Sequence, residues 1–301
     1  MEGFMQTGIV DIGSNTIRLV LYDIHKGKYK KLISKKKMAG LAGYTVDGEM
    51  SHQGIKKLVK ILSGYQKIAG LLQIQKMYYF ATASLRNIQN SKEVIRQVKK
   101  ELGICIELIS GEEEGYLDYY AVSKELHLKT GILMDVGGGS SELVAFKNDE
   151  ILGNRSLPIG SLNLYNKYVY GILPGVEEKI EMKQVIDRYL KEYGHPVKVK
   201  QMIGIGGSIR AVHMLVQELV SPNGREKGFY RNDLKELLYM TEESEKDFIR
   251  QMLKRKPDRL HTIVPGILII GKLMDCCGCE EILVSDVGVR EGFLQKRVME
   301  E

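Results

Sequence analysis

The sequence predicts an α/β fold built from two related halves. Strand-like apolar runs alternate with helix-like segments along the chain, and one short pattern occurs twice. The pattern is an apolar strand that ends in Asp, a turn containing Gly and Ser, and a second strand, at residues 8–22 and again at 131–146. Internal self-similarity of this kind indicates repeated architecture. The fold class therefore rests on the alternation and on the repeat.

The second copy of the pattern has the composition of a phosphate site. Asp135 ends its first strand, and three glycines at 137–139 let the backbone turn tightly because they carry no Cβ. Successive N–H groups in such a turn form an anion-binding concavity. A carboxylate would repel a phosphate beside it unless Mg²⁺ lay between them. Mg²⁺ is usually held by one or two carboxylates together with phosphate oxygens. An ordinary Gly-rich hairpin is the alternative.

The first copy repeats the arrangement with fewer glycines. Asp11 is followed by Gly13 and Ser14, and a strand resumes at Ile17. Two such hairpins favour a phosphate site to which both halves contribute.

Composition limits the classes of function. The chain has 301 residues, a net charge of +6 and a hydrophobic fraction of 44%. A modest positive charge suits an anionic substrate without requiring nucleic acid. No apolar run reaches the length of a membrane span, and no export signal is recognised. We therefore expect a cytoplasmic protein with no membrane partner and four reduced cysteines.

Further along the chain, two segments place polar groups where a strand gives way to a helix. Residues 111–124 are predicted to be a helix with three Glu in its first turn, which the helix dipole alone would favour. Residues 201–212 predict a strand, a Gly-rich turn and a helix. The turn is not a dinucleotide fingerprint, because Ile209 stands where the last Gly is required. It can present N–H groups to an anion, or it is simply a tight turn.

In combination, the motifs resemble the exopolyphosphatase/guanosine pentaphosphate phosphohydrolase (Ppx/GppA) family. They run in family order over nearly the whole chain: VDIGSNTIRL, FATASLR, ISGEEEG, MDVGGGSSEL, GIGGSIRA, VPGILI and LVSDVGVREG. The resemblance implies two ribonuclease-H-like domains of the actin/hexokinase/Hsp70 type with an interdomain active-site cleft. With the helix at 111–124 as the crossing, domain I is predicted to be residues 1–124 plus 289–301, and domain II residues 125–288. The chain resembles the short members that lack the C-terminal His-Asp domain.

The resemblance also implies site roles. Glu114 corresponds to the catalytic base and Arg86 to a phosphate-binding arginine. Asp135, Glu142 and Asp11 correspond to acids that position Mg²⁺ or Mn²⁺ and water. The phosphate-binding positions are Asp11, Gly13, Ser14 and Asn15; Gly137, Gly138, Gly139 and Ser140; and Gly206, Gly207 and Ser208. In-line water attack on a terminal phosphoryl group needs charge neutralisation and a placed water, which these groups can supply.

The implied function is a metal-dependent phosphoanhydride hydrolase that releases terminal orthophosphate from inorganic polyphosphate, with short chains favoured. A guanosine pentaphosphate 5′-phosphohydrolase is the alternative within the same chemistry. A nucleotide-dependent kinase and a non-catalytic phosphate sensor are alternatives from other classes. The resemblance further implies a homodimer. The residues do not separate the two hydrolase substrates.

Overall fold

The structure is a computed structural model, and it describes residues 5–126, 129–193 and 197–300. The chain forms two compact units. The first ends at Gly111 and is completed by the segment from Phe293 onward, and the second is Glu112–Gly292. The sequence analysis placed the two crossings at 124/125 and 288/289. In the structure the helix that carries Glu114 belongs to the second unit instead, because its apolar side packs on the sheet of that unit.

The first unit contains a five-stranded sheet with the strand order β3-β2-β1-β6-β7. Strands β1 to β3 form an antiparallel meander, and β6 and β7 add to it in parallel. A small hairpin, β4–β5, stands apart from the sheet. The strands are β1 (Met5–Ile12), β2 (Thr16–His25), β3 (Lys28–Met38), β4 (Thr45–Val46), β5 (Glu49–Met50), β6 (Lys76–Ala81) and β7 (Glu107–Leu108).

Three helices accompany this sheet: α1 (His52–Leu71), α2 (Ala83–Arg86) and α3 (Ser91–Leu102). Ser51 caps α1 by accepting a hydrogen bond from the Gly54 N–H at 3.4 Å, as its residue type predicts. Leu58, Leu62 and Tyr65 of α1 pack in the core with the apolar side chains of β1 and β2. The core thus fixes the strands whose ends carry Asp11 and Arg86.

The second unit contains a six-stranded sheet with the order β10-β9-β8-β11-β13-β12. Its first five strands repeat the topology of the first sheet: an antiparallel meander, β8 to β10, is followed by the parallel strands β11 and β13. The strands are β8 (Thr130–Val136), β9 (Ser141–Lys147), β10 (Glu150–Leu157), β11 (Gln201–Ile205), β12 (Gly228–Tyr230) and β13 (Glu281–Val284). The repeated topology confirms the predicted pair of ribonuclease-H-like folds.

The helices of the second part of the chain are α4 (Gly111–Leu126), α5 (Ser161–Tyr168), α6 (Val176–Tyr193), α7 (Gly206–Leu215), α8 (Arg231–Glu243), α9 (Glu245–Arg255), α10 (Ile263–Cys277) and α11 (Val289–Phe293). The helix α10 contributes most of its apolar side chains to the core, together with α5, α6 and α7. On the sheet's other side, Tyr119 and Val122 of α4 pack against Phe146 and Val144. Among the described residues, no helix has the length and apolar character that crossing a bilayer requires.

Three elements are interrupted or unusually short. The charged stretch 230–255 is two helices, divided at Ser244, whose φ of −148° and ψ of 85° are not helical. The Ser244 hydroxyl donates to the Asp247 carboxylate at 3.1 Å, but its side chain does not cap the backbone N–H groups of the new helix. The apolar run at 104–109 forms only the two-residue strand β7, and β12 has only three residues.

Candidate active site

The second hairpin places two acids side by side. Asp135 of β8 and Glu142 of β9 are directly paired across the antiparallel ladder, one step below the turn. Directly opposite residues have Cβ atoms about 4.5–5.5 Å apart, so both carboxylates lie on one face of the sheet. Glu142 is buried and Asp135 is half-buried. This pair is the acidic centre of the unit.

Two hydroxyl groups orient Glu142. Ser140 and Ser156 both donate to its Oε1 atom, at 2.7 and 2.8 Å. The two hydroxyls therefore fix the position of this buried carboxyl group.

The glycine turn between β8 and β9 is held by the start of α5. The bonds are Ser161 N to Gly137 O at 2.9 Å, Leu162 N to Gly138 O at 3.0 Å and Asn163 Nδ2 to Gly139 O at 3.1 Å. In a trans peptide the N–H points opposite to the C=O, and the described chain has no cis peptide bond. The N–H groups of Gly138, Gly139 and Ser140 therefore point away from α5. They form a cradle of the kind that binds anions.

Gly160, which precedes α5, makes this close approach possible. A Cβ atom at Gly160 would overlap the backbone of Gly138 and Gly139. Sequence reasoning did not single out Gly160, because the contact joins segments that are separate along the chain.

The turn at 206–208 lies beside Asp135, because β11 pairs in parallel with β8 and Ile205 stands opposite Asp135. Gly206 has a φ of +84°, and a Cβ there would overlap the Asp135 carboxylate. Both the backbone angle and the lack of space require glycine. The adjacent Gly207 lies against the guanidinium of the buried Arg259. The structure thus adds an arginine to this turn, one that sequence reasoning missed.

Helix α4 contributes two carboxyl groups on one face, Glu114 and Asp118, which are four residues apart. Both are buried, and Asp118 is completely so. Burial raises the pKa of Asp118 well above its ordinary value, and the negative charges of Asp135, Glu114 and Glu142 raise it further. The charges of Glu114, Asp135 and Glu142 thus all act on one buried carboxyl group.

The first hairpin, in the other unit, has a similar backbone arrangement. The Asn15 carbonyl accepts bonds from the N–H groups of Ala39 and Gly40, both at 2.9 Å, and the Ser14 carbonyl accepts from Ala42 at 3.3 Å. The N–H groups that follow these carbonyls therefore point away from the 39–42 segment. The Asn15 side-chain amide is buried, and neither of its polar atoms has a hydrogen-bond partner in the described chain.

Arg86 lies at the end of α2, directly after β6, and β6 is the parallel neighbour of β1. Its Nη1 donates to the Ile109 carbonyl at 3.2 Å. Arg86 and the Asp11 turn thus lie at the carboxyl ends of adjacent parallel strands, the position at which ligands approach open α/β sheets.

The two hairpins differ at one matched position. In the first, the residue opposite Asp11 is Arg18, whereas in the second the residue opposite Asp135 is Glu142. An opposite charge directly across a ladder is favourable, and a like charge is unfavourable. The second hairpin is therefore the better candidate for a cation.

The donors of the second unit suit a hard divalent cation. Mg²⁺ prefers oxygen ligands and is usually bound through one or two carboxylates and substrate phosphates, which Asp135, Glu142 and a phosphate in the cradle would supply. Within the described residues, no three His, Cys, Asp or Glu side chains are arranged as a complete metal site. The carboxylate pair fits Mg²⁺ or Mn²⁺ provided that other oxygens complete the coordination.

A family model described as the Ppx/GppA phosphatase family matches residues 20–301. The chain belongs to the Ppx/GppA phosphatase family. Exopolyphosphatase 1 of Mycobacterium tuberculosis is 25% identical over 98% of this chain and 88% of its own length. The family assignment confirms the prediction that the protein is a phosphoanhydride hydrolase.

Solved structures of related proteins have the same fold as this chain. The Ppx/GppA family member of Aquifex aeolicus is 26% identical, with a TM-score of 0.78 over 99% of each chain. An exopolyphosphatase of Cytophaga hutchinsonii is 22% identical, with a TM-score of 0.81 over 98% of each chain, and shows the same fold. The α/β fold and the family assignment of the sequence analysis are thus confirmed.

The predicted site residues fall into two groups. In the second unit lie Glu114, Asp135, Glu142, Gly137, Gly138, Gly139, Ser140, Gly206, Gly207 and Ser208, and in the first lie Asp11, Gly13, Ser14, Asn15 and Arg86. Their roles remain predictions. Sequence reasoning missed Asp118, Gly160 and Arg259, and only Asp118 left a signal, its four-residue spacing from Glu114.

Proposed function

We propose that the protein is a Mg²⁺-dependent exopolyphosphatase that releases terminal orthophosphate from inorganic polyphosphate and favours short chains. The observation that carries the proposal is the pairing of Asp135 with Glu142 one step from the glycine cradle. A carboxylate pair beside a row of N–H donors suits a metal-bound terminal phosphate. The exopolyphosphatases among its relatives support this choice of substrate.

In the proposed reaction, Asp135 and Glu142 would hold the cation, which would neutralise charge on the phosphate oxygens. The N–H groups of the 137–140 turn bind oxygens of the terminal phosphate, and Arg86 keeps the role of a phosphate-binding arginine that the family resemblance implies. Glu114 accepts a proton from the water that attacks the terminal phosphorus; the bond from that phosphorus to the bridging oxygen breaks, and the chain shortened by one phosphate leaves. Phosphoryl transfer asks mainly for positioning and charge stabilisation, and a positioned base typically contributes about 10²–10⁴-fold.

Glu114 is well suited to act as the base. It is buried at the start of α4, and its neighbour Gly115 lies against Asn154 and Val144, so the backbone is held close to β9 and β10. Asn154 also donates to the Glu112 carbonyl at 2.5 Å. These contacts hold the α4 backbone on both sides of Glu114 close to the sheet that carries Asp135 and Glu142.

The test is phosphate release with Mg²⁺ from short polyphosphate, long polyphosphate and guanosine pentaphosphate, measured side by side. Glu114→Ala is compared with the wild type and with Glu112→Ala, which removes an exposed carboxyl from the same helical turn. We expect release from polyphosphate to fall about 10²–10⁴-fold in Glu114→Ala and to be unchanged in Glu112→Ala.

The outcomes separate the candidates. Release of phosphate only from guanosine pentaphosphate would change the proposed substrate but leave the proposed active site unchanged. Full activity of Glu114→Ala would overturn the assignment of the base, and no release from any substrate would overturn the proposed function. The predicted homodimer is checked separately by sedimentation.

A further inference from the structure

Asp118 is a buried carboxyl group without a hydrogen-bond partner. Its side chain has no exposed surface, and neither oxygen accepts a hydrogen bond from any group that the structure describes. It lies in the interior of α4, between Leu117 and Tyr119, which are both core residues. Burying a carboxylate without compensation is costly, and such a group in a native protein indicates an ion, a water or a function.

The surroundings of Asp118 are mainly acidic. Glu114 lies one turn earlier on the same face of α4, and Asp118 lies against Gly288 together with Ile205, the residue opposite Asp135 in the sheet. Burial, and then the negative charges of Asp135, Glu114 and Glu142, raise the pKa of Asp118. On the other side, Oδ1 lies 3.3 Å from the position a Cβ of Gly288 would take. The guanidinium of Arg290 offsets part of this negative charge, yet it makes no hydrogen bond to Asp118 in the described chain.

A proton or a bound cation can compensate a carboxylate in this position. A proton would make Asp118 a neutral core group, equivalent in shape and polarity to asparagine. A bound cation would favour the charged form of Asp118. The attraction between the cation and Asp118 would add to the attraction that Asp135 and Glu142 exert on the same cation. The second explanation also accounts for a carboxyl group among apolar neighbours, beside the acids already assigned to the metal.

We propose that Asp118 is a third acid near the cation site of the second unit, whose negative charge strengthens the binding of a divalent cation by Asp135 and Glu142. Asp118 acts from outside the first coordination sphere, because no three acids of the described residues are arranged to hold a metal, and residues in that position commonly change metal affinity by about 10–100-fold. The inference rests on the proposed cation at Asp135 and Glu142. It does not depend on which phosphorylated compound is the substrate.

The test is a titration of the full chain with Mn²⁺, followed by electron paramagnetic resonance of the free ion, with no phosphate compound present. Asp118→Asn keeps the shape and removes the charge, whereas Asp118→Leu matches the apolar neighbours. Glu112→Gln is the matched control, because it removes one exposed negative charge from the same helix. Far-UV circular dichroism and thermal unfolding establish that each variant is folded.

We expect Mn²⁺ to bind the wild type and Glu112→Gln alike, and to bind both Asp118 variants about 10–100-fold more weakly. Unchanged affinity in Asp118→Asn would overturn the inference and leave Asp118 as a neutral core residue. Failure of the wild type to bind Mn²⁺ would overturn it without any variant. Phosphate release from polyphosphate is measured in parallel. Failure of the proposed function would appear only in that assay, whereas failure of the proposed cation site would appear in the Mn²⁺ titration.

Discussion

Asp135 and Glu142 form a cross-strand pair of like charge, one residue from the turn that joins their strands. Such a pair is unfavourable for the fold by itself. The proposed divalent cation would convert this repulsion into attraction. The same position in the first hairpin pairs Asp11 with Arg18, which needs no added cation.

The first prediction concerns the stability of the metal-free protein. Glu142→Gln removes the repulsion, and its amide oxygen can still accept the bonds from Ser140 and Ser156. We expect the free energy of unfolding in EDTA to rise by about 0.2–1 kcal/mol, while phosphate release is lost. Urea unfolding measures the first effect, and a phosphate assay the second.

A matched control lies at the far end of β9, where Lys147 pairs with Glu150 of β10. Glu150→Gln makes the same chemical change opposite Lys147, where the charges are complementary. We expect it to lower stability slightly and leave activity unchanged. If Glu142→Gln were no more stable than Glu150→Gln in EDTA, the like-charge interpretation would be wrong.

The second prediction concerns the contact between Gly160 and the glycine cradle. A Cβ at Gly160 would overlap the backbone of Gly138 and Gly139, so Gly160→Ala must displace the N–H groups. Because misplacement by about 1 Å can reduce a rate 10²-fold, we expect a fall of about that size in kcat/KM. Gly153→Ala in β10 is the control, since its Cβ meets nothing within 4 Å. Equal activity of the two variants would contradict the role of the cradle.

The third prediction concerns Arg259, whose guanidinium lies against Gly207. We expect Arg259→Lys to raise KM for the phosphate substrate about tenfold with a smaller change in kcat, because lysine lacks the planar fork that holds two oxygens. Steady-state kinetics check this result. Arg250→Lys, at an exposed ion pair with Asp247, is the control and should leave KM unchanged.

The fourth prediction concerns thiol reactivity. Cys105 is exposed, whereas Cys277 and Cys279 are buried, and burial raises the pKa of the Cys277 thiol to about 12. A raised thiol pKa lowers the reactive thiolate fraction, to about 10⁻⁴ for Cys277 at pH 8. We expect Cys105 to react rapidly with Ellman's reagent at pH 8, and Cys277 only after unfolding in urea. Rapid labelling of Cys277, located by peptide mass spectrometry, would contradict its burial.

The sequence anticipated the features that depend on neighbouring residues. Both hairpins and the turn at 206–208 are encoded in short runs, and the structure has them where they were expected. Arg259 and Gly160 depend on contacts between segments distant along the chain, which no local pattern shows. Asp118 was missed because an acid on a helix that already carries three Glu looks solvent-facing until its burial is known. The helix α4 was assigned to the other half for a related reason: its packing partner lies elsewhere in the sequence.

The segment that completes the first unit has a consequence for synthesis. Phe293 stacks on Phe80 with the ring centroids 4.8 Å apart, and Gln295 donates to the Tyr29 hydroxyl at 3.3 Å. The ribosome makes Phe80 early and Phe293 only after all of Glu112–Gly292 has been translated. Until the second unit has been made, Phe80 of a nascent chain therefore lacks the aromatic ring that stacks on it in the folded protein. A chain that stalls before Phe293 is made would lack this aromatic contact, so its first unit would be less completely packed.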